Sequence, residues 1–138
     1  MNMTTFDFGN GPVPAHKHPN GGGWVADTAT VTDTAYVGPD AKVFGDAQVL
    51  GNAEVFGNAV VYDNALVYGN AFVFDNAWVC DDAMVYGDAV VCDDARVYGD
   101  AHVSGYARVT DNAQVSGDAE EDMFIEMNGK RYKLVEVE

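Results

Sequence analysis

Cysteine is scarce in this chain. Cys80 and Cys92 are the only two, which excludes a disulfide framework and suits a reducing compartment. Positive charge is scarce as well: 7 Lys and Arg stand against 22 Asp and Glu, a formal net charge of −15 at pH 7. Direct contact with nucleic acid or an anionic membrane is disfavoured, because either would be repelled. No apolar run approaches the ~20 residues of a membrane span, and the first residues lack the basic start and apolar stretch of a secretory leader. The expectation is a soluble, cytoplasmic, single-domain protein. Its partner would be cationic, or a protein that ordinarily binds DNA.

What is abundant is a period. Valine stands at position 25 and at every sixth position through Val115, and alanine does the same from Ala29 through Ala119. The unit reads V-x-[GD]-[DN]-A-x, as in Val43-Phe44-Gly45-Asp46-Ala47-Gln48. Ala and the next Val lie two apart, so both face the same side of a short strand, and the residues beside that Val face outward. The remaining Gly-Asp, Gly-Asn or Asp-Asn pair carries turn chemistry, since these types tolerate positive φ. Three strands and three corners close a triangular coil of eighteen residues. Sixteen such units over 25–120 make about five coils, a rod roughly 25 Å long at ~4.8 Å per coil. Only small or β-branched side chains fit inside so narrow a triangle.

Residues 45–65, GDAQVLGNAEVFGNAVVYDNA, resemble the hexapeptide-repeat superfamily of left-handed parallel β-helices. Left-handedness comes from that resemblance; the general rule for parallel crossovers would give the opposite hand. The V-x-G-[DN]-A-x form, introduced by HPNGGGWVADTA, is also similar to small phage and prophage proteins, which would place the chain in the host cell cytoplasm as an accessory protein. The expected organisation is an N-terminal cap over 1–23, the β-helix over 24–120, and a C-terminal β-hairpin over 121–138. Phe6 and Phe8 are available to lie over the first coil, and Asn128-Gly129 supplies the hairpin turn.

The eighteen-residue period sorts the outward residues onto three sides. Phe44, Leu50, Phe56, Tyr62, Leu66, Tyr68, Phe72, Phe74, Trp78, Met84, Tyr86 and Tyr98 make the middle coils apolar. Contiguous apolar surface of that extent predicts a homo-oligomer, and the superfamily resemblance implies a trimer; stacking of the aromatics along each ladder is the simpler alternative. Fourteen of the 22 acidic residues fall at corners, concentrated on the two corners flanking the first side. Asp63, Asp81, Asp82, Asp93, Asp94 and Asp100 are the central ones. Their plain role is turn conformation and solubility. Asp81-Asp82 and Asp93-Asp94 offer paired hard oxygens, but no calcium motif is present, so no metal and no cofactor is predicted. Imitation of DNA is a further alternative, against which the ~4.8 Å coil spacing fits poorly with the 3.4 Å step of a DNA strand. Tyr106 occupies a corner position where an aromatic at positive φ would be an outlier.

The superfamily resemblance also implies an acyltransferase as the rival class, with a histidine base in a cleft between subunits. Here the hexapeptides run without an inserted loop, and His102 is the one histidine on the helix wall. His102 and Ser104 flank Val103 on one strand without an evident orienting acid, so they form no nucleophile pair. His16 and His18 make a thin metal candidate, Gly21-Gly22-Gly23 lack phosphate-loop spacing, and Cys80 and Cys92 lack the electropositive setting of a reactive thiolate. The reading favours a non-catalytic, acidic, oligomeric binding or scaffold module that holds a host protein or a small molecule, possible interference with host defence included.

Overall fold

The computed structural model describes residues 4–117, 123–127 and 130–133. All regular structure among them is strand, most of it in the parallel stacked coils of a β-solenoid of about five turns. Each Val pairs in register with the Val eighteen residues on, as in Val43↔Val61, Val67↔Val85 and Val73↔Val91. The first face carries the strands Trp24–Ala26, Lys42–Val43, Val60–Val61, Trp78–Val79, Arg96–Val97 and Gln114–Gly117. The second runs from Thr30–Val31 to His102–Val103, and the third from Tyr36–Val37 to Arg108–Val109. The core is one column of Val and Ala, nearly all without exposed surface.

Corner geometry follows from which residue of the turn pair leads. The leading residue has positive φ: between 57° and 59° at Asp63, Asp75, Asp81, Asp93 and Asp111, and 63° to 71° at the leading glycines from Gly45 to Gly105. The second residue donates its amide to the leading carbonyl of the next coil, as Asp46 does to Asp63 and Asn76 to Asp93. This removes the difficulty expected at Tyr106. It is a second residue, Gly105 before it takes the positive φ of 65°, and the Tyr106 ring stands 85% exposed. The first coil is built differently. Its leading residues Asp27, Asp33 and Pro39 stay out of the positive-φ region, which the proline ring forbids in any case. There the Thr28 and Thr34 hydroxyls donate to the Gly45 and Gly51 carbonyls in place of the amide.

The N-terminal segment does more than lie over the first coil: it lengthens the first face. β1 (Thr5–Asp7) pairs antiparallel with β2 (Pro12–Lys17), and β2 with β3 (Trp24–Ala26). Phe6 stacks on Trp24 at 4.8 Å and Phe8 on Phe44 at 4.8 Å. Over the third face the cap replaces the hydrogen bonds of a missing coil. The buried His18 ring donates from Nε2 to the Ala35 carbonyl at 2.8 Å, Gly23 donates its amide to Val37, and Val37 donates to Asn20. Gly21 and Gly23 are therefore close-approach residues and no flexible lead-in. A Cβ on Gly23 would meet the Gly38 carbonyl oxygen at 2.2 Å and a Val37 methyl at 2.5 Å. Gly23→Ala is expected to lower stability by about 1–3 kcal/mol, the usual cost of overpacking, measurable by denaturant unfolding.

At the other end, Gln114–Gly117 pairs antiparallel with Met123–Met127, and that strand with Lys130–Lys133. The hairpin thus continues the first face. Its turn at Asn128-Gly129 lies outside the described residues.

Candidate functional site: an aromatic face between two acidic corners

Outward residues that follow each Val form ladders. Phe44 stacks on Tyr62 at 5.1 Å and 7°, Phe56 on Phe74 at 4.8 Å and 2°, and Tyr68 on Tyr86 at 4.9 Å and 6°. Ring-on-ring contact hides much of the apolar surface counted from sequence. Leu50, Leu66, Met84 and Tyr98 are also only half-exposed. Of the twelve expected interface residues, only Phe72 (37%) and Trp78 (38%) are more than about a third exposed, and they sit on different faces. Ladder stacking covers part of this apolar surface within one chain.

The first face differs from the others in what lies on its rings. Lys17 places its ammonium 5.6 Å from the Trp24 ring, and Arg96 its guanidinium 4.6 Å from the Trp78 ring. Both are cation–π contacts, drawn by the negative face of the indole. Tyr62 lies edge-on to Trp78 at 6.1 Å. Along the corner shared with the second face run Asp46, Asp63, Asp81, Asp82 and Asp100, all exposed, beside an open groove of about 480 Å³. Along the corner shared with the third face run Asp40, Asp75, Asp93, Asp94 and Asp111. The one ion pair among the described residues joins His16 Nδ1 to Asp27 at 2.7 Å; neither carboxylate line is paired there. Unit charges one coil apart, about 5 Å, repel by about 0.8 kcal/mol even in bulk water. That separation is inside the ~8 Å Debye length, so salt relieves it only partly. Where the first groove meets the N-terminal hairpin, Phe8, Val13, Pro14, Ala26 and Phe44 line an apolar recess of about 340 Å³.

Both cysteines sit at the rims of this face, one at each acidic corner. Val79-Cys80-Asp81-Asp82 and Val91-Cys92-Asp93-Asp94 repeat one motif twelve residues apart. Burial pushes the Cys80 thiol up, the Tyr62 hydroxyl opposes this by hydrogen-bonding the sulfur, and Asp81 and Asp63 add to the rise against Arg96. Tyr62 is itself raised, by burial first and then by that bond. Burial likewise raises Cys92, reinforced by Asp93, Asp75 and Asp111 against Arg108. The sequence set these thiols aside one at a time. It missed that Cys92, Asp75 and Asp93 come together, because Asp75 belongs to the preceding coil. Only the eighteen-residue offset would have revealed it.

The structure does not assemble the histidines. His16 turns to Asp27 while His18 turns inward to Ala35. His102 pairs with Met84 on the second face, its ring edge-on to Tyr86 at 6.2 Å. No side chain among the described residues hydrogen-bonds the His102 imidazole.

A family model described as YdcK beta solenoid repeat matches residues 77–93 and 91–105. Those two stretches contain both copies of the cysteine motif. No curated protein and no solved structure matches the chain. The repeat match and the architecture agree on a β-solenoid repeat protein. Among the described residues no helix is long and apolar enough to cross a membrane.

Proposed function

We propose that the protein is a non-catalytic binding rod whose first face docks a basic segment of another protein. The observation that carries this reading is the carboxylate line Asp46, Asp63, Asp81, Asp82 and Asp100, unpaired among the described residues, beside a face whose two tryptophans already hold cations. A basic segment laid along the face relieves repulsion between successive coils. Its Arg and Lys side chains meet carboxylates at the corners and, between them, the part of Trp78 that Arg96 leaves exposed. The apolar recess by Phe8 and Val13 gives such a segment a place for one anchoring side chain. A flat rod with positions fixed by the coil needs no rearrangement to bind, which keeps the ordering cost on the partner's side. A phage or prophage accessory role, with a host protein as the partner, is the setting that the separate resemblance to small phage and prophage proteins suggests for this activity.

Oligoarginine is a suitable probe. Replacing Asp46, Asp63, Asp81, Asp82 and Asp100 together by Asn keeps side chains that tolerate positive φ and removes only charge. Calorimetry is expected to show about tenfold or greater loss of affinity, some 1.4 kcal/mol, and a shallower salt dependence. A charge-matched variant, with Asp33 and Asp88 changed to Asn and Glu54, Glu120 and Glu121 to Gln, is expected to bind like the parent. Equal losses in the two variants would reduce the effect to net charge and remove the proposal.

A further inference from the structure

We propose that Asp75, Cys92 and Asp93 form a binding site for one zinc-like divalent cation at the corner between the third and first faces. One carboxylate oxygen from each aspartate and the Cys92 sulfur lie within 4.8 Å of one another. Cys92 is only 8% exposed, and no hydrogen bond to its sulfur is present among the described residues. The thiol is thus nine-tenths enclosed, unbonded and close to two carboxylates.

The two carboxylates are held by the fold. Asp75 and Asp93 each lead a corner, with φ of 59°, in adjacent coils. Asp93 uses Oδ2 to accept the Asp111 amide at 3.0 Å, so its orientation is fixed and its other oxygen is free. Donors around one tetrahedral zinc stand about 3.5 Å apart, given Zn–S near 2.3 Å and Zn–O near 2.0–2.2 Å. Binding a metal requires the three donors to draw together from within 4.8 Å by side-chain rotation. Asp111 and Arg108 also face the sulfur; the first adds to the field that draws a cation, and the second opposes it. On binding, the thiol proton passes to solvent as the sulfur–metal bond forms, and water completes the shell. One thiolate with two carboxylates favours a borderline-soft ion over calcium or magnesium, which need several hard oxygens.

The earlier copy of the motif is a built-in comparison. Cys80 stands in the same sequence relation to Asp63 and Asp81, but among the described residues these three do not gather as the Cys92 group does, and Tyr62 lies beside its sulfur. Twelve residues on, the equivalent of Tyr62 is Phe74, which has no hydroxyl. One motif therefore brings its thiol to two carboxylates, and the other sets its thiol beside a tyrosine hydroxyl instead.

Titration of the whole protein with zinc, and with cobalt as the coloured substitute, tests this. One equivalent is expected to bind, with a thiolate-to-cobalt charge-transfer band. Cys92→Ser should abolish the band, and Cys92→Ser and Asp75→Asn should each weaken zinc by about tenfold or more, while Cys80→Ser binds like the parent. Both kinds of substitution keep size and turn preference, and thermal unfolding without metal is the check that each variant is folded. A missing charge-transfer band, or zinc bound by Cys92→Ser as tightly as by the parent, would overturn the proposal. Equal losses from Cys80→Ser would do the same, as would calcium binding that matches zinc in strength.

Discussion

Val67→Asp is expected to leave no cooperatively folded protein. Val67 has no exposed surface and lies in the middle of the column, in register with Val49 and Val85. The substitution forfeits about 1.5–3 kcal/mol of apolar burial. It also places a carboxylate where the described neighbours are Val and Ala, with no donor to receive it. An unpaired buried charge costs several kcal/mol more, and the whole fold is worth about 5–15 kcal/mol. Circular dichroism is expected to lose its β signal and its cooperative melt. Val67→Ala, which only removes methyl groups, is expected to fold with about 2–3 kcal/mol less stability. Position matters because each coil contacts only its neighbours. Val31, partly exposed in the first coil, is expected to tolerate Asp far better than Val67 does. Equal damage at Val31 and Val67 would contradict a stack of separable coils.

The core was legible in the sequence because a single rule determines it. A six-residue period with one Val and one Ala has few ways to bury both, and the triangular coil satisfies every unit. The three faces followed from the eighteen-residue offset, and the parallel register Trp78↔Arg96 or Leu66↔Met84 is what that offset requires. What was hidden depended on breaks in the rule. The corner conformation belongs to the leading residue alone, so the concern over Tyr106 was assigned to the wrong half of the pair. Thr28 and Thr34 depart from the Asp-or-Asn rule and are substitutes, hydroxyls doing the work of amides at a coil with different corners. His18 was weighed as a metal ligand, whereas it completes a hydrogen-bond ladder for a coil that is not there. Periodicity cannot show this, since the cap lies outside the period.

The candidate surface was legible in part. Acid at the corners flanking the first face could be counted from the sequence. The extent of apolar exposure could not, because stacking angles of 2° to 7° decide how much of each ring stays open. The sites of Arg96 and Lys17 over the tryptophans likewise depend on side-chain direction. These two contacts changed the reading of the first face, from an apolar wall seeking a copy of itself to a surface suited to cations.

Two periods thus act in one chain: six residues build the core, and eighteen align the surface. Removing residues 65–70 separates them. Ala65, Leu66, Val67, Tyr68, Gly69 and Asn70 carry no charge, and Asn64 would then join Ala71 with the hexapeptide rule intact. The core should re-form, while every later unit moves round by one face. Asp46 and Asp63 stay on the original corner, but Asp81, Asp82 and Asp100 move to the corner between the third and first faces, and the single carboxylate line is broken in mid-rod at unchanged net charge. Oligoarginine calorimetry on this variant, run beside its thermal melt, is the most direct test. The predicted result is a cooperative melt with affinity reduced about tenfold or more relative to the parent. A variant that folds and binds the probe as tightly as the parent would contradict the account.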